Sequence, residues 1–120
     1  MSEKPTVVWT EIPVVDLDKA EAFYTSVFGF DMVRQDNEPN VTVNFSSAMS
    51  SVSGHLYPGT PATGNGPTIH LALPDTLEDG IARCEAGGGK IVSPAITIPP
   101  GRFVYATDPD GNSIGLFEPA

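Results

Sequence analysis

His70 and Glu11 are the residues of this 120-residue sequence whose chemistry and positions best suit acid/base catalysis. Both fall in short β-rich runs, and strand alternation points both side chains to the same face of a predicted sheet. A carboxylate beside an imidazole, whose unperturbed pKa is about 6.5, can exchange a proton with a bound molecule. The plainer alternatives are a glutamate held by water and a histidine satisfied by a neighbouring hydroxyl. The two residues are therefore candidate catalytic groups for a reaction that the sequence does not specify.

Aromatic side chains accompany these two residues. Strand alternation gives this face of the sheet Trp9, Glu11, His70, Phe103, Tyr105, Gly115 and Phe117. The opposite face receives the aliphatic residues Ile12, Leu71, Leu73, Ile114 and Leu116. Aromatic rings mixed with isolated polar groups are typical of a cavity lining, and such rings can stack on a planar or cationic ligand, although plain core packing is the alternative.

Three further residues are weaker candidates for ligand contact. Asn44 and His55 lie on strands whose facing the pattern leaves open. Arg102, at the start of its predicted strand, could reach a ligand carboxylate or remain a solvated strand end. Asn44 and His55 are included in the predicted lining, which then consists of nine residues.

The secondary-structure elements that position these residues come in two similar sets. The first half predicts a strand over 7–14, a helix over 17–28 between Asp16 and Gly29, and strands over 30–34, 41–47 and 52–57. The second half predicts a strand over 68–73, a helix capped by Asp75 or Thr76 and stopped by the glycines 87–89, and strands over 91–98, 102–107 and 113–118.

An internal repeat supports this division. An offset of 61 residues aligns 9–13 with 70–74, and the same offset aligns 54–58 with 115–119. The Gly/Pro-rich residues 58–67 form a linker. The sequence therefore predicts one α+β domain over 1–120. Two βαβββ modules, 5–58 and 67–119, would form a curved mixed sheet around a shared pocket, with the helices on the outer face.

Composition excludes several functions. With 15 acidic and 6 basic residues the net charge is −9, which disfavours nucleic acid and anionic membrane as partners. No apolar run reaches the length of a membrane span, and the polar N-terminus lacks the features of a secretory signal, so we expect a cytoplasmic protein. The single cysteine, Cys84, falls on the apolar face of a predicted helix and is expected to be structural.

Several segments resemble the vicinal-oxygen-chelate superfamily of glyoxalases, bleomycin-resistance proteins and extradiol dioxygenases. They are EIPVVDLDKAEAFY at 11–24, VFG at 27–29, HLAL at 70–73, GGGK at 87–90 and DPDGNSIGLFE at 108–118. Together they span nearly the whole chain. The resemblance implies the paired βαβββ fold, although the motifs mostly encode turns, caps and core and therefore say little about chemistry.

The resemblance also implies where a metal would be held. In metal-binding members, His and Glu ligands come from the first and last strands of each module, at positions that match Trp9, Gly54 or His55, His70 and Gly115. The constant offset selects Gly54, whereas a slip of one residue would substitute His55. Since Trp and Gly provide no ligand and an open catalytic site needs about three protein ligands, we expect no metal cofactor.

The resemblance therefore implies a protein of the bleomycin-resistance type, with a metal-free pocket for a small aromatic or cationic molecule. One alternative is a lyase or isomerase of the glyoxalase type, with Zn²⁺, Ni²⁺ or Fe²⁺ held by His70, His55 and Glu11. A metal-free acid/base enzyme using His70 and Glu11, or a partner-binding domain, are the others. Short members of this family commonly pair two subunits, so a homodimer is expected.

Overall fold

The first half of the chain folds as one helix and four strands in the computed structural model, which describes residues 9–36, 41–46 and 52–120. Its elements are β1 (Trp9–Val14), α1 (Leu17–Phe28), β2 (Val33–Asp36), β3 (Val41–Asn44) and β4 (Ser53–Pro58). Residues 7, 8 and 47, which the sequence assigns to strands, lie outside the described residues. The strand expected from Phe30 begins only at Val33, because the Phe30 ring stacks on Phe28, with the two ring centroids 5.2 Å apart.

The second half repeats the order with one difference. Its elements are β5 (Ile69–Ala72), α2 (Leu77–Ala86), β6 (Lys90–Ile91), β7 (Ile96–Ile98), β8 (Gly101–Thr107) and β9 (Ser113–Pro119). The single strand expected over 91–98 is wrong, since two short strands, β6 and β7, occupy this stretch. Pro94 lies between them, and proline has no backbone N–H to donate to a ladder.

Both helices begin at a side-chain cap. The Asp16 carboxylate accepts a hydrogen bond from the Lys19 amide at 3.0 Å, and α1 ends at Gly29, whose φ of 68° is left-handed. Thr76 caps α2, accepting from the Asp79 amide at 3.2 Å, while Asp75 pairs with Arg83 instead. No helix in the described part of the chain is long and apolar enough to cross a membrane.

The strands of the described residues form two sheets, one in each half. The first sheet has the order β1-β4-β3-β2, and the second has the order β5-β9-β8-β6, with β7 also paired to β8. In each half the first strand runs parallel to the last one, and the other pairs are antiparallel. The α+β class is therefore confirmed, but the expected single curved sheet is divided, because no hydrogen-bonded ladder joins β1 to β5 in the described residues.

One continuous apolar core joins the helices to both sheets. Its largest fully buried side chains are Tyr24, Ile12, Leu56, Leu77, Ile114 and Leu116. Leu73 is buried and Leu71 is half-buried against the same cluster, as the alternation predicts. The opposite face of each sheet is thereby left free of helices.

A buried polar network fastens the two halves together at the turn 108–112. Asp108 is 3% exposed, and its carboxylate accepts hydrogen bonds from the Tyr24 hydroxyl at 2.7 Å and from the Asn112 side chain at 2.9 Å. Asn112 also donates to the Pro13 carbonyl at 2.8 Å, and the Val15 amide donates to Asp110 at 3.1 Å. The sequence predicts a turn here, and the structure shows that this turn also holds the second half against β1 and α1.

Cys84 is fully buried in the same core. Burial raises the pKa of its thiol to about 11, so the thiol remains protonated at neutral pH. Since the thiolate is the nucleophilic form, this environment fits the structural role expected from the sequence.

Candidate functional site

A row of polar residues crosses the helix-free face of the first sheet. In the strand register, Glu11 lies opposite His55, and His55 lies opposite Asn44. Directly paired residues share a face, so the three side chains lie side by side across β1, β4 and β3. Gly54 pairs with Thr10 and is buried on the other face. His55, and not Gly54, therefore belongs to the candidate site.

Hydrogen bonds link Trp9, His55 and Glu11 within this row. The Trp9 indole Nε1–H donates to His55 Nδ1 at 2.9 Å, and His55 Nε2 lies 3.2 Å from Glu11 Oε2. Because Nδ1 accepts the indole proton, a neutral His55 carries its own proton on Nε2 and donates it to Glu11. The Trp9 side of the row is open, since this residue is 44% exposed. The arrangement holds a carboxylate beside an exposed indole.

The corresponding face of the second sheet carries an aromatic cluster, which we define as His70, Phe103, Tyr105 and Phe117. The His70 ring centroid lies 4.8 Å from that of Phe103 and 5.7 Å from that of Tyr105. Phe103 and Phe117 are stacked with centroids 6.1 Å apart. Phe103 is only 7% exposed, whereas Tyr105 is 37% exposed and His70 is exposed. The cluster therefore offers ring edges and faces to a ligand.

Gly115 makes room for the His70 imidazole. It lies opposite His70 in the parallel pair of β5 and β9, and a Cβ at this position would stand 2.0 Å from His70 Nδ1. The imidazole therefore lies directly over the Gly115 backbone. The role of Gly115 is to admit the ring, which explains why it belongs to the lining without supplying a side chain.

The proposed equivalence of Gly54 and Gly115, which rests on the constant offset, is wrong. Gly54 faces the helices, whereas Gly115 faces away from them under His70. Parallel pairing sets Thr10 opposite Gly54 but His70 opposite Gly115, so the two halves differ in register by one residue. A shift of one residue moves a side chain to the other face of a sheet, and this places His55 on the ligand side.

The structure does not bring together the pair expected to act as acid and base. Glu11 contacts His55 on the first sheet, and His70 belongs to the aromatic cluster of the second. In the described ranges, no group of three or more His, Cys, Asp or Glu side chains is arranged to hold a metal ion. The alternative metal set of His70, His55 and Glu11 is thus divided into a pair and a separate residue, and these residues do not fit a catalytic metal.

Arg102 is engaged away from the candidate site. Its guanidinium donates to Glu78 at 2.6 and 2.8 Å and to Glu118 at 2.9 Å, and Glu118 also accepts from the Leu77 amide at 2.8 Å. These contacts tie β8 and β9 to the start of α2. Arg102 is therefore a structural residue, and the suggestion that it reaches a ligand carboxylate has no contact to support it.

Sequence reasoning missed Tyr57 as a member of the first face. Its ring meets the His55 ring edge-on, with centroids 6.2 Å apart. Tyr57 stands two residues after His55 on β4, so alternation places both on one face once the facing of His55 is known. The missing signal was the register of β4, which depends on its partner strands.

Two βαβββ units, each with a parallel outer pair and a helix-free polar or aromatic face, define the class of this protein. The family model described as Glyoxalase/Bleomycin resistance protein/Dioxygenase superfamily matches residues 6–116. The chain belongs to this superfamily, which confirms the resemblance seen in the sequence.

Individual relatives agree with this assignment. CFP32 of Mycobacterium tuberculosis is 27% identical over 124 residues, covering all of this chain and 46% of the relative, so the chain spans about half the length of the curated relatives it matches. Among solved structures, a glyoxalase/bleomycin resistance protein from Albidiferax ferrireducens has a TM-score of 0.69 at 22% identity, with 94% of this chain and 98% of that chain covered. TnmS3, an antibiotic-binding protein from a Streptomyces species, has a TM-score of 0.66 at 27% identity, with both chains fully covered.

Proposed function

We propose that this chain is a small-molecule-binding protein that holds a planar aromatic or cationic ligand against the helix-free faces of its two sheets, without a metal. The observation that carries the proposal is the aromatic cluster, whose rings stay partly open to solvent on a face free of helices. An aromatic ring on such a surface gains stacking energy in addition to buried area. A cation gains further from the ring faces and from the net charge of −9.

The comparison with TnmS3 supports this reading. That protein binds an antibiotic, and it matches this chain over its full length at 27% identity. The two alternatives, a metal-dependent lyase and an acid/base enzyme using His70 and Glu11, have no supporting contact between the required residues in the part of the chain that the structure describes. We retain the cytoplasm as the proposed location, because Cys84 is buried and has no second cysteine as partner.

Binding of a planar ring is expected to depend on the aromatic cluster. Acridine, which is neutral near pH 7.5, and 9-aminoacridine, which is cationic there, should both bind, with the cation binding tighter. His70→Ala and Tyr105→Ala should each weaken both ligands by about tenfold, since one aromatic contact contributes about 0.5–1.5 kcal/mol. Fluorescence titration of the acridines measures these affinities directly.

Val15→Ala provides the control for this experiment. Val15 is 72% exposed and lies at the junction of β1 and α1, outside the candidate site, so its truncation should leave both affinities unchanged. The proposal is contradicted if neither acridine binds at millimolar concentration, or if His70→Ala and Tyr105→Ala bind as tightly as the unmodified protein while remaining folded by circular dichroism.

The proposed binding protein is a homodimer. Ligand pockets usually bury about 70–90% of a ligand's surface, and a ring lying on the open aromatic cluster of one copy would keep much of its surface in water. A second copy packed over Trp9 and Tyr105, which are 44% and 37% exposed, would close the pocket. Sedimentation equilibrium at micromolar concentration should give twice the chain mass of 12.6 kDa, and a monomer mass would overturn this part of the proposal.

A further inference from the structure

A cavity of about 200 Å³ lies between the first strands of the two halves, beneath the connection that joins them. Glu11 and Pro13 of β1 line one side, Ile69 of β5 lines another, and Thr60 and Asn65 of the connection contribute polar side chains. Of the described residues that line the cavity, Glu11 is the only one with an ionisable side chain. The cavity therefore combines a largely apolar wall with one negative charge.

Glu11 differs from the other carboxylates in lacking a cationic partner. Asp18 and Glu21 pair with Arg34, Asp75 pairs with Arg83, and Glu78 and Glu118 pair with Arg102. In residues 9–36, 41–46 and 52–120, no lysine or arginine lies within ion-pair distance of Glu11, whose neighbour is the imidazole of His55 at 3.2 Å. A neutral imidazole orients the carboxylate and leaves its charge uncompensated.

The Glu11 carboxylate is also held in place. His55 is itself held by the Trp9 indole at 2.9 Å, and the contact between His55 and Glu11 uses Oε2. In the described part of the chain no hydrogen bond occupies Oε1. A fixed carboxylate with one oxygen to spare is suited to accept a hydrogen bond from a cationic group, and a charged pair of this kind is stronger than a neutral one.

We propose that this cavity is the subsite for a protonated amine of the ligand, with Glu11 as its counter-charge and His55 as the positioning residue. The proposal deepens the proposed function and rests on it: the ligand class becomes a flat aromatic ring that carries a basic amine. The ring lies against the exposed aromatic side chains, among them Trp9 on the same face as Glu11. The amine enters the cavity, where Thr60 and Asn65 offer further hydrogen-bond acceptors.

The experiment compares 2-phenylethylamine with its neutral counterpart 2-phenylethanol. The fluorescence of Trp9, the only tryptophan of the chain, reports binding because its indole is hydrogen-bonded to the residue that positions Glu11. The unmodified protein should bind the amine at least about tenfold more tightly than the alcohol, as expected for a charge-assisted hydrogen bond. Glu11→Gln retains an acceptor for His55 and removes only the charge, so it should bind the two probes equally.

Two further variants sharpen this test. Glu85→Gln makes the same chemical change on the exposed surface of α2 and should retain the tenfold preference. Ala62→Leu adds volume to the cavity wall without altering charge and should weaken binding of the amine. Together they separate the effect of the Glu11 carboxylate from that of the net charge.

The results distinguish failure of the subsite from failure of the proposed function. If Glu11→Gln keeps the preference for the amine, or if Ala62→Leu binds it unchanged, the subsite is wrong, while unaltered acridine binding would leave the proposed function standing. If the unmodified protein binds neither the acridines nor the phenylethyl probes, the proposed function fails as well. Thermal melting of each variant without ligand checks that it is folded.

Discussion

Replacing Asp108 with alanine is expected to lower the free energy of unfolding by about 3 kcal/mol, because it leaves several buried hydrogen-bond donors without an acceptor. Those donors are the Tyr24 hydroxyl, the Asn112 side-chain amide, and the backbone amides of Asp110 and Asn112. Each would be desolvated without a partner in a region where Asp108 is 3% exposed and Tyr24 is fully buried. Urea denaturation followed by far-UV circular dichroism measures the loss.

Tyr24→Phe is the matched control for Asp108→Ala. Removing only the hydroxyl deletes one hydrogen bond and should cost about 1–1.5 kcal/mol. In the double variant, the loss should be clearly smaller than the sum of the single losses, because the Tyr24 hydroxyl is no longer present to be left unsatisfied. Strict additivity, or a loss below about 1 kcal/mol in Asp108→Ala, would show that this turn does not hold the two halves together.

The same contact makes stability depend on alkaline pH. Burial, reinforced by the charge of Asp108, raises the pKa of Tyr24 well above its ordinary value of 10.0. Folding therefore favours the protonated phenol, so its contribution is fully present below pH 10 and is lost as the pH rises above this value. Tyr24→Phe should decline less steeply with alkaline pH than the unmodified protein, although Cys84, with a pKa raised to about 11, will retain part of the slope.

Gly54→Ala is expected to destabilise the protein by about 3 kcal/mol, at the upper end of the cost of overpacking a core. A Cβ at Gly54 would stand 2.4 Å from the backbone carbonyl oxygen of Thr10 and 3.0 Å from the Thr10 Cβ. Thr10 is the direct partner of Gly54 in the parallel pair of β1 and β4. Relief would require the two strands to separate and so break their hydrogen bonds. Urea denaturation again gives the measurement.

Gly115→Ala is the informative comparison, since its nominal clash is closer but its obstacle can move. The added Cβ would meet the imidazole of His70 at 2.0 Å, and this exposed side chain can rotate to another rotamer. We expect a stability loss below about 1 kcal/mol, together with weaker acridine binding as His70 leaves the aromatic cluster. Equal losses of stability at Gly54 and Gly115 would mean that the two glycines have equivalent surroundings after all.

Much of the fold was predictable because its signals are local. Asp16 and Gly29 bound α1 through a side-chain cap and a left-handed end, which depend only on a few neighbouring residues. The second half likewise repeats the order of strand and helix that the first half predicts. The prediction failed at Pro94, where a run that is β-rich on average is interrupted by one residue without a donor.

The candidate site was predictable only in part. Alternation within one strand placed Trp9 with Glu11, and Tyr105 with Phe103, on common faces, because side-chain direction follows from the pleat. The relation between strands could not be obtained in this way. The internal offset selected Gly54, whereas the register of β4 against β1 selects His55.

The amino-acid sequence by itself determined the residue types available for chemistry, the order of the elements and the superfamily of this protein. Tertiary structure alone decided which of those residues meet: Glu11 with His55 and Trp9 on one sheet, and His70 with its aromatic neighbours on the other. The physical reason is that strand register and the docking of the two halves arise from contacts between residues distant in the chain, and a shift of one residue reverses the facing of a strand.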